Sequence, residues 1–180
     1  MKMRAVKFLF ALFLFSCSNS NQQESNANST SGKVIAIIDG DTYDILLDGN
    51  KTVRIRMEGI DAPEKGMPFY RVAKKYLGEL CFEKNVRLEI HDTDSRGRKI
   101  AFTYLDDGTE ISHEMIKAGL AWHFTKYNKD EDLATLEVQA RESKLGLWTD
   151  ESPMPPWDNR SLHRNGISTK DSFDIKEGQQ

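Results

Sequence analysis

Hydrophobic residues recur with two different periods along the middle of the chain, and each period predicts an element. In Lys51–Met57, Val, Ile and Met alternate with Thr and two Arg, which is the period of two of a strand with one buried face. In Phe69–Cys81, apolar residues return every three or four positions, as on the buried face of an amphipathic helix. The same reasoning predicts strands at Lys33–Ile38, Tyr43–Leu47, Val86–Ile90 and Lys99–Leu105, and helices at Ile111–Ala118 and Asp130–Lys144.

Turn sequences between these elements indicate how the strands are connected. Asp39–Thr42 reads DGDT and Asp48–Asn50 reads DGN, both rich in residues that favour turns, so the first three strands are predicted to form a meander. Five short strands mixed with three helices predict an α+β fold of mainly β character, in which a small barrel carries the helices around it. Residues 33–157 contain all of these elements and are predicted to form one domain.

The N-terminal end has the pattern of an export signal. A run of eight apolar residues, Phe8–Phe15, follows the basic residues Lys2, Arg4 and Lys7. This run suits the core of a signal peptide and is far shorter than the roughly 20 residues that span a bilayer. The next residues, Ser16 and Cys17, complete a sequence that resembles a bacterial lipobox, which implies a signal peptide over residues 1–17 and lipidation of Cys17. A plain secretory leader cut nearby is the alternative.

Two further segments lack the hydrophobic periods of the domain. Residues 18–32 are almost entirely Ser, Asn, Gln and Thr, which predicts a flexible polar tether. The proline-rich stretch 153–157 is predicted to be an extended strap whose Trp157 packs back on the domain. Residues 158–180 have no period and few apolar residues, and we expect a disordered tail there.

Composition and charge narrow the classes of function. The net charge is −3, so the chain cannot coat nucleic acid through bulk positive charge, and any binding of a polyanion requires a local basic patch. The two cysteines, Cys17 and Cys81, exclude a disulfide framework. Cys81 falls on the predicted buried face of a helix, where a cysteine is more often part of a core than catalytic.

Candidate chemistry is concentrated in the stretch RIRMEGIDAPE, residues 54–64. Pro63 prevents a helix from continuing here, so Asp61 and Glu64 are presented in a turn at the end of the strand that carries Arg56. Two carboxylates beside an arginine suit a hard metal ion and a bound phosphate, although an exposed strand end with a surface ion pair has the same composition.

Residues from other parts of the chain favour the functional interpretation. Asp41 follows the first predicted strand, and Arg98 precedes the fifth. Carboxylates such as Asp41 and Asp61 can hold a divalent cation, while arginines can bind a phosphodiester and stabilise the charge of its transition state. With Glu64 facing a water molecule, this set predicts metal-assisted phosphodiester hydrolysis.

Three motifs, in this order and at this spacing, resemble the staphylococcal nuclease, or thermonuclease, family. They are DGDT at 39–42, R-x-x-x-x-D-A-P-E at 56–64 and D-x-x-G-R at 94–98. The resemblance extends over about residues 33–157. It implies an OB-fold barrel with three helices and a calcium-dependent endonuclease that hydrolyses phosphodiester bonds in DNA and RNA.

The resemblance also implies roles for individual residues. Asp41 and Asp61 match calcium carboxylates, and Ala62 matches a residue that binds calcium through its backbone carbonyl. Arg56 and Arg98 match phosphate-binding arginines, while Glu64 matches a glutamate that acts as general base or orients the attacking water. Candidate contacts to the substrate are Arg96, Lys126 and Tyr127.

A catalytically inactive OB-fold module that binds nucleic acid or a protein partner is the main alternative, and a lipoprotein that binds calcium and phosphate without turnover is another. The presence of all five side chains, Asp41, Arg56, Asp61, Glu64 and Arg98, favours the enzyme. We therefore expect an exported, lipid-anchored nuclease, facing the periplasm or the cell surface. It is expected to be a monomer that uses Ca²⁺ and prefers single-stranded nucleic acid.

Overall fold

The computed structural model describes residues 29–169, and a closed barrel of five strands lies at its centre. In chain order the strands are β1 (Ser29–Ile37), β2 (Thr42–Leu47), β3 (Lys51–Met57), β4 (Ile60–Asp61), β5 (Asn85–Thr93), β6 (Lys99–Tyr104) and β7 (Trp122–His123). The helices are α1 (Tyr70–Cys81), α2 (Ile111–Lys117), α3 (Glu131–Glu142) and α4 (Pro156–Arg164), with 3-10 segments at Asp48–Asn50 and Gly146–Thr149.

The barrel closes through one parallel and several antiparallel pairings. The strand order is β1-β2-β3-β6-β5, and β5 returns to pair with β1. Only the pairing of β3 with β6 is parallel among these strands of the described residues, and β4 pairs with β7 outside the barrel. The predicted α+β barrel with its first three strands in a meander is confirmed.

The first strand is longer than its sequence predicts. Residues 29–32 were predicted to belong to the polar tether, and this is wrong, because Ser29–Lys33 pairs with β5. The same strand then pairs with β2 from Lys33 onwards. A Cβ on Gly32 would lie 2.5 Å from the carbonyl oxygen of Leu46, so the switch between partners depends on glycine. Backbone hydrogen bonds hold these polar residues in the sheet.

The core lies between the inner face of the barrel and the helices. Alternate strand residues such as Ile45, Ile55 and Leu88 are fully buried, as the period of two requires. The buried face of α1 adds Leu77 and Cys81, so the predicted burial of Cys81 is confirmed. Among residues 29–169 no helix has the length and apolar character needed to cross a membrane.

The C-terminal part of the chain differs from the prediction. The expected strap at 153–157 and disordered tail from residue 158 are wrong as far as α4 extends, because Pro156–Arg164 is helical. Pro156 is at the start of the helix, where its fixed φ suits the first turn and its missing N–H costs nothing. Asp158 in the first turn and Arg164 in the last turn complement the helix dipole.

The remaining predictions for the ends concern residues that the structure does not describe. The signal peptide, Cys17 and most of the polar tether lie outside residues 29–169, as do residues 170–180 of the predicted tail. These stay predictions from the sequence.

The glycine that follows α2 lies too close to another backbone segment to accept a side chain. Gly119 has φ +66°, and a Cβ there would lie 2.2 Å from the carbonyl oxygen of Leu145. We expect Gly119→Ala to lower the free energy of unfolding by about 3 kcal/mol or more, because a left-handed alanine is strained and would also push two backbone segments apart.

Gly108→Ala is the matched control for this change. Gly108 also has positive φ, but a Cβ there would have no atom within 4 Å. It should cost only about 1–2 kcal/mol, the penalty for a left-handed residue. Urea unfolding of both variants measures the difference, and equal losses would show that the contact with Leu145 is not limiting.

Candidate active site

Separate segments of the chain meet at a cleft of about 740 Å³ beside the end of β3. The turn between β1 and β2 provides Asp41, and β3 provides Arg56. The stretch from β4 towards α1 provides residues 61–64, and the turn between β5 and β6 provides residues 94–98. The structure thus brings together the predicted residues Asp41, Arg56, Asp61, Ala62, Glu64, Arg96, Arg98 and Tyr127, all of which line this cleft.

Asp41 is fixed by hydrogen bonds on both carboxylate oxygens. Its Oδ2 accepts the backbone N–H of Ala62 at 2.7 Å, and its Oδ1 accepts the hydroxyl of Thr42 at 2.9 Å. The residue is only 5% exposed. These bonds tie the first turn of the barrel to the Asp-Ala-Pro-Glu turn and keep the carboxylate at the cleft.

Arg56 connects the two predicted metal carboxylates. Its Nη2 donates to Oδ1 of Asp61 at 2.9 Å, and its Nη1 lies 3.3 Å from Oδ2 of Asp41. Nη1 also donates to the carbonyl oxygen of Ile60 at 2.7 Å. The guanidinium is therefore held in one orientation by partners on both sides of the turn, as expected of a preorganised charge.

Asp61 is also in contact with a second arginine, Arg160, which the sequence did not predict as a site residue. Arg160 of α4 donates to Oδ2 of Asp61 at 2.6 Å through Nη2, and its Nη1 donates to Oε1 of Glu64 at 2.8 Å. Burial raises the pKa of Asp61, while the hydrogen bond from Arg160 and the charge of Arg56 oppose the rise. The two carboxylates raise the pKa of Arg160 in spite of its desolvation, so this arginine stays charged.

A third aspartate at the cleft was also missed. Asp39 accepts the backbone N–H of Asp41 on Oδ1 at 3.1 Å. Burial, followed by the negative charge of Asp41, raises the pKa of Asp39 to about 7. The DGDT turn thus places a buried carboxyl group next to the charge of Asp41, which disfavours the ionised form of Asp39.

Arg98 is held on the other side of the cleft by the turn that carries it. Its Nε donates to Oδ2 of Asp94 at 2.8 Å, and the backbone N–H groups of Arg96 and Arg98 donate to Oδ1. Burial acts to raise the pKa of Asp94, but these hydrogen bonds outweigh it and the pKa lies below its usual value. The side chain of Arg98 faces the cleft on a fixed support, whereas Arg96 is exposed at its edge.

Aromatic residues form one rim of the cleft. Tyr127 is 70% exposed, and its ring meets the ring of Phe124 edge-on with centroids 4.9 Å apart. Phe124 stacks in turn on Trp157 of α4, with centroids 5.3 Å apart and an interplanar angle of 4°. The predicted packing of Trp157 on the domain is therefore confirmed. Lys126 reaches the rim through Tyr127, its Nζ 5.2 Å from the ring centroid.

Comparison with known proteins agrees with this geometry. The sequence model of the family described as "Staphylococcal nuclease homologue" matches residues 54–150. The chain belongs to the staphylococcal nuclease homologue family.

Relatives in this family match most of the chain. An "Uncharacterized endonuclease" of Escherichia coli O157:H7 is 39% identical over 126 residues, which are 70% of this chain and 82% of the relative. A "Micrococcal nuclease" of Shigella flexneri is 34% identical, covering 76% of this chain and 84% of the relative. An "Uncharacterized endonuclease" of Haemophilus influenzae is 34% identical, covering 85% and 83%.

The family's motifs place oxygen donors suited to a divalent cation. Asp41, Asp61 and the carbonyl of Ala62 are hard ligands of the kind that Ca²⁺ binds. Within residues 29–169 no group of three or more His, Cys, Asp or Glu side chains is arranged as a ready cation site. Two carboxylates and a carbonyl are donors that a hard divalent cation accepts together with water molecules.

Family membership does not account for Arg160, because α4 follows the matched region 54–150. The sequence does contain a signal for this helix. Pro156 followed by an acidic residue at Asp158, with basic residues at His163 and Arg164, has the order of a helix start and end. The segment is short and has few apolar residues, and for this reason its sequence predicts a tail instead.

Proposed function

We propose that the chain is a calcium-dependent endonuclease that hydrolyses phosphodiester bonds in DNA and RNA. The observation that carries the proposal is the guanidinium of Arg56 bridging two buried carboxylates, Asp41 and Asp61, in a cleft that Glu64 and Arg98 also line. Family membership supports its coarser part, a nuclease that hydrolyses nucleic acid esters. The names of the relatives, endonuclease and micrococcal nuclease, support the same reaction class.

Two carboxylates and one carbonyl would hold the cation in this proposal: Asp41, Asp61 and Ala62. When bound there, Ca²⁺ would supply a positive charge that polarises the phosphate and makes a neighbouring water more acidic. The position of Asp41 is already fixed by the N–H of Ala62, whereas Asp61 is engaged by Arg56 and Arg160.

The two arginines bind and orient the phosphodiester. Arg98 is the more open of the two, with its side chain 24% exposed, whereas that of Arg56 is 12% exposed. Both line the cleft and are held in place by acceptors of the protein, and in this proposal their positive charge stabilises the negative charge that develops on the phosphate oxygens. One preorganised donor of this kind is typically worth about 10²- to 10³-fold in rate.

Glu64 holds or moves the proton of the attacking water. It lies after Pro63 at the edge of the cleft, and its side chain is 36% exposed, so water reaches it. A carboxylate at this position accepts a proton from water or fixes the water by a hydrogen bond. General base catalysis would contribute about 10²- to 10⁴-fold.

The rim favours single-stranded substrates. Tyr127 is an exposed ring on a rigid aromatic neighbour, which is the arrangement on which an unpaired base can stack. Arg96, which lines the cleft, and Lys126, beside Tyr127, are exposed cations that would extend the contact along the backbone of the nucleic acid.

The proposal is tested with purified protein, single-stranded DNA and RNA, each with Ca²⁺, with Mg²⁺ and with chelator. We expect cleavage of both nucleic acids with Ca²⁺ and loss of at least about 10³-fold in rate with chelator, because the charge on the phosphate is then left uncompensated. Internal cuts in a circular single strand identify an endonuclease. Binding without cleavage in every condition would instead indicate an inactive nucleic-acid-binding module.

A further inference from the structure

Arg160 occupies the oxygens that a cation would need. The guanidinium lies 2.6 Å from Oδ2 of Asp61 and 3.3 Å from its Oδ1, while Arg56 takes Oδ1 at 2.9 Å. Both oxygens of this carboxylate are thus engaged by arginine. A divalent ion approaching Asp61 meets two positive charges and a carboxylate that already accepts three hydrogen bonds from arginine, so close binding requires one of the two arginines to move.

Of the two arginines, Arg160 is the one that can more easily move away from Asp61. Arg56 is carried by a barrel strand, donates to two backbone carbonyls and is 12% exposed. Within residues 29–169, the guanidinium of Arg160 hydrogen-bonds only to carboxylates, its side chain is 31% exposed, and its helix is the last element described. Losing its contacts leaves the barrel intact.

The contact of α4 with the cleft is nonetheless specific. Trp157 stacks on Phe124, and the buried Asn159 brings Nδ2 to 3.5 Å from Oε2 of Glu64. Asn159 is fixed in turn by the hydroxyl of Thr169, which donates to its Oδ1. Three side chains of the helix, an aromatic ring, an amide and a guanidinium, therefore contact residues that line the cleft.

We propose that α4 is an intramolecular latch, in which Arg160 competes with the divalent cation for Asp61 and Glu64 and is displaced when the cation binds. This inference rests on the metal site of the proposed function and adds a control on its occupancy. In the latched state, Arg160 neutralises the carboxylates and covers part of the cleft. In the open state, Asp61 is available to the cation and Glu64 is free to face water.

The latch lowers the apparent affinity for the cation by the fraction of molecules that are open. If only about 1–10% of molecules are open without metal, the dissociation constant is raised about 10- to 100-fold over that of an unlatched site. An exported enzyme would then be held inactive at low calcium and released where calcium is plentiful.

Calcium titration calorimetry on purified full-length protein tests the latch. We expect Arg160→Gln to bind Ca²⁺ about 10- to 100-fold more tightly than the unchanged protein. The matched control is Arg164→Gln, which removes the same charge from the exposed end of the same helix and should change the affinity by less than about twofold. Unchanged or weaker binding by Arg160→Gln would overturn the latch.

Two further measurements test the latch without relying on the Arg160→Gln variant. Trp157→Ala removes the aromatic anchor without altering any charge in the cleft, and it should also tighten calcium binding. In the unchanged protein, added Ca²⁺ should accelerate hydrogen exchange of the amides of residues 156–169. Exchange that is unchanged or slower with Ca²⁺ contradicts displacement of α4.

The outcomes separate this inference from the function on which it rests. Calcium binding that is equal in all variants overturns the latch and leaves the nuclease proposal intact. Calcium binding in none of the variants overturns the latch together with the calcium dependence of the proposed nuclease. Binding by Arg160→Gln alone would support the latch in its strongest form.

Discussion

Replacing Arg56 with alanine is expected to reduce kcat for cleavage of single-stranded DNA by about 10³-fold or more. A single preorganised donor is worth about 10²- to 10³-fold, and Arg56 can present more than one N–H group to the phosphate. The affinity for Ca²⁺ should be unchanged or tighter, because the guanidinium that shares Asp61 and Asp41 is removed. A fall in kcat without a loss of Ca²⁺ affinity would indicate that Arg56 stabilises charge on the phosphate and does not hold the metal.

The same change has a cost in stability that calcium should partly offset. Without Arg56, the carboxylates of Asp41 and Asp61, 5% and 2% exposed, lose a counter-charge. Removing one partner of such a buried pair typically costs about 3–5 kcal/mol. Because Ca²⁺ binds only the folded site, thermal unfolding with and without Ca²⁺ should show a larger stabilisation in Arg56→Ala than in the unchanged protein.

Arg54→Ala is the matched control on the same strand. Arg54 lies two residues before Arg56 on β3, and its guanidinium pairs with Asp44, with 49% of its side chain exposed. Its loss should change kcat by less than about twofold, as expected of an exposed ion pair. Equal losses from both variants would mean that β3 needs its positive charge in general and that Arg56 has no particular role.

The strands around the site could be predicted because the alternation of apolar and polar residues that defines a strand is a local pattern. The boundaries of β3 follow from strict alternation over Lys51–Met57, and the turn at Pro63 follows from the ring of that proline. These two features alone place Arg56 next to Asp61. The number and mixture of elements predict a barrel, but they do not predict its strand order or the parallel pairing of β3 with β6, which depend on long-range contacts.

The parts that the sequence did not predict are those that depend on distant partners. The start of β1 is polar and gains its structure from pairing with β5, more than fifty residues later in the chain. Helix α4 has a weak apolar face, and it is held by a stack on Phe124 and by ion pairs to Asp61 and Glu64. No local pattern reports such contacts, so Arg160 is found only once the fold brings residue 160 to residue 61.

The lipid anchor remains a prediction that no part of the structure tests. Cys17 and the residues before it lie outside the described part of the chain, and the prediction rests on their sequence alone. Anchoring and the latch would fit together, because a tethered enzyme exposed to extracellular calcium would have its cation site filled after export.

Replacing Glu64 with glutamine is expected to lower kcat by about 10²- to 10⁴-fold. Glutamine keeps the size of the side chain and one oxygen that can accept a hydrogen bond from Arg160, but it cannot take a proton from water. If Glu64 is the base, the acidic limb of the pH–rate profile that reports its ionisation should disappear in the variant. If Glu64 only orients water, the loss should fall near the lower end of this range and the limb should remain.

Glu58→Gln is the control that separates chemistry from charge in the cleft. Glu58 lines the same cleft, and its Oε1 accepts a weak hydrogen bond from Asn128 at 3.4 Å. Removal of this charge alters the local field much as Glu64→Gln does, but it removes no group from the position after Pro63. We expect a change in kcat of less than about threefold, because Glu58 is half-buried and is not one of the residues proposed to hold the cation or the phosphate. A similar large loss in both variants would show that the cleft needs negative charge to gather cations, and Glu64 would then have no separate part in moving the proton.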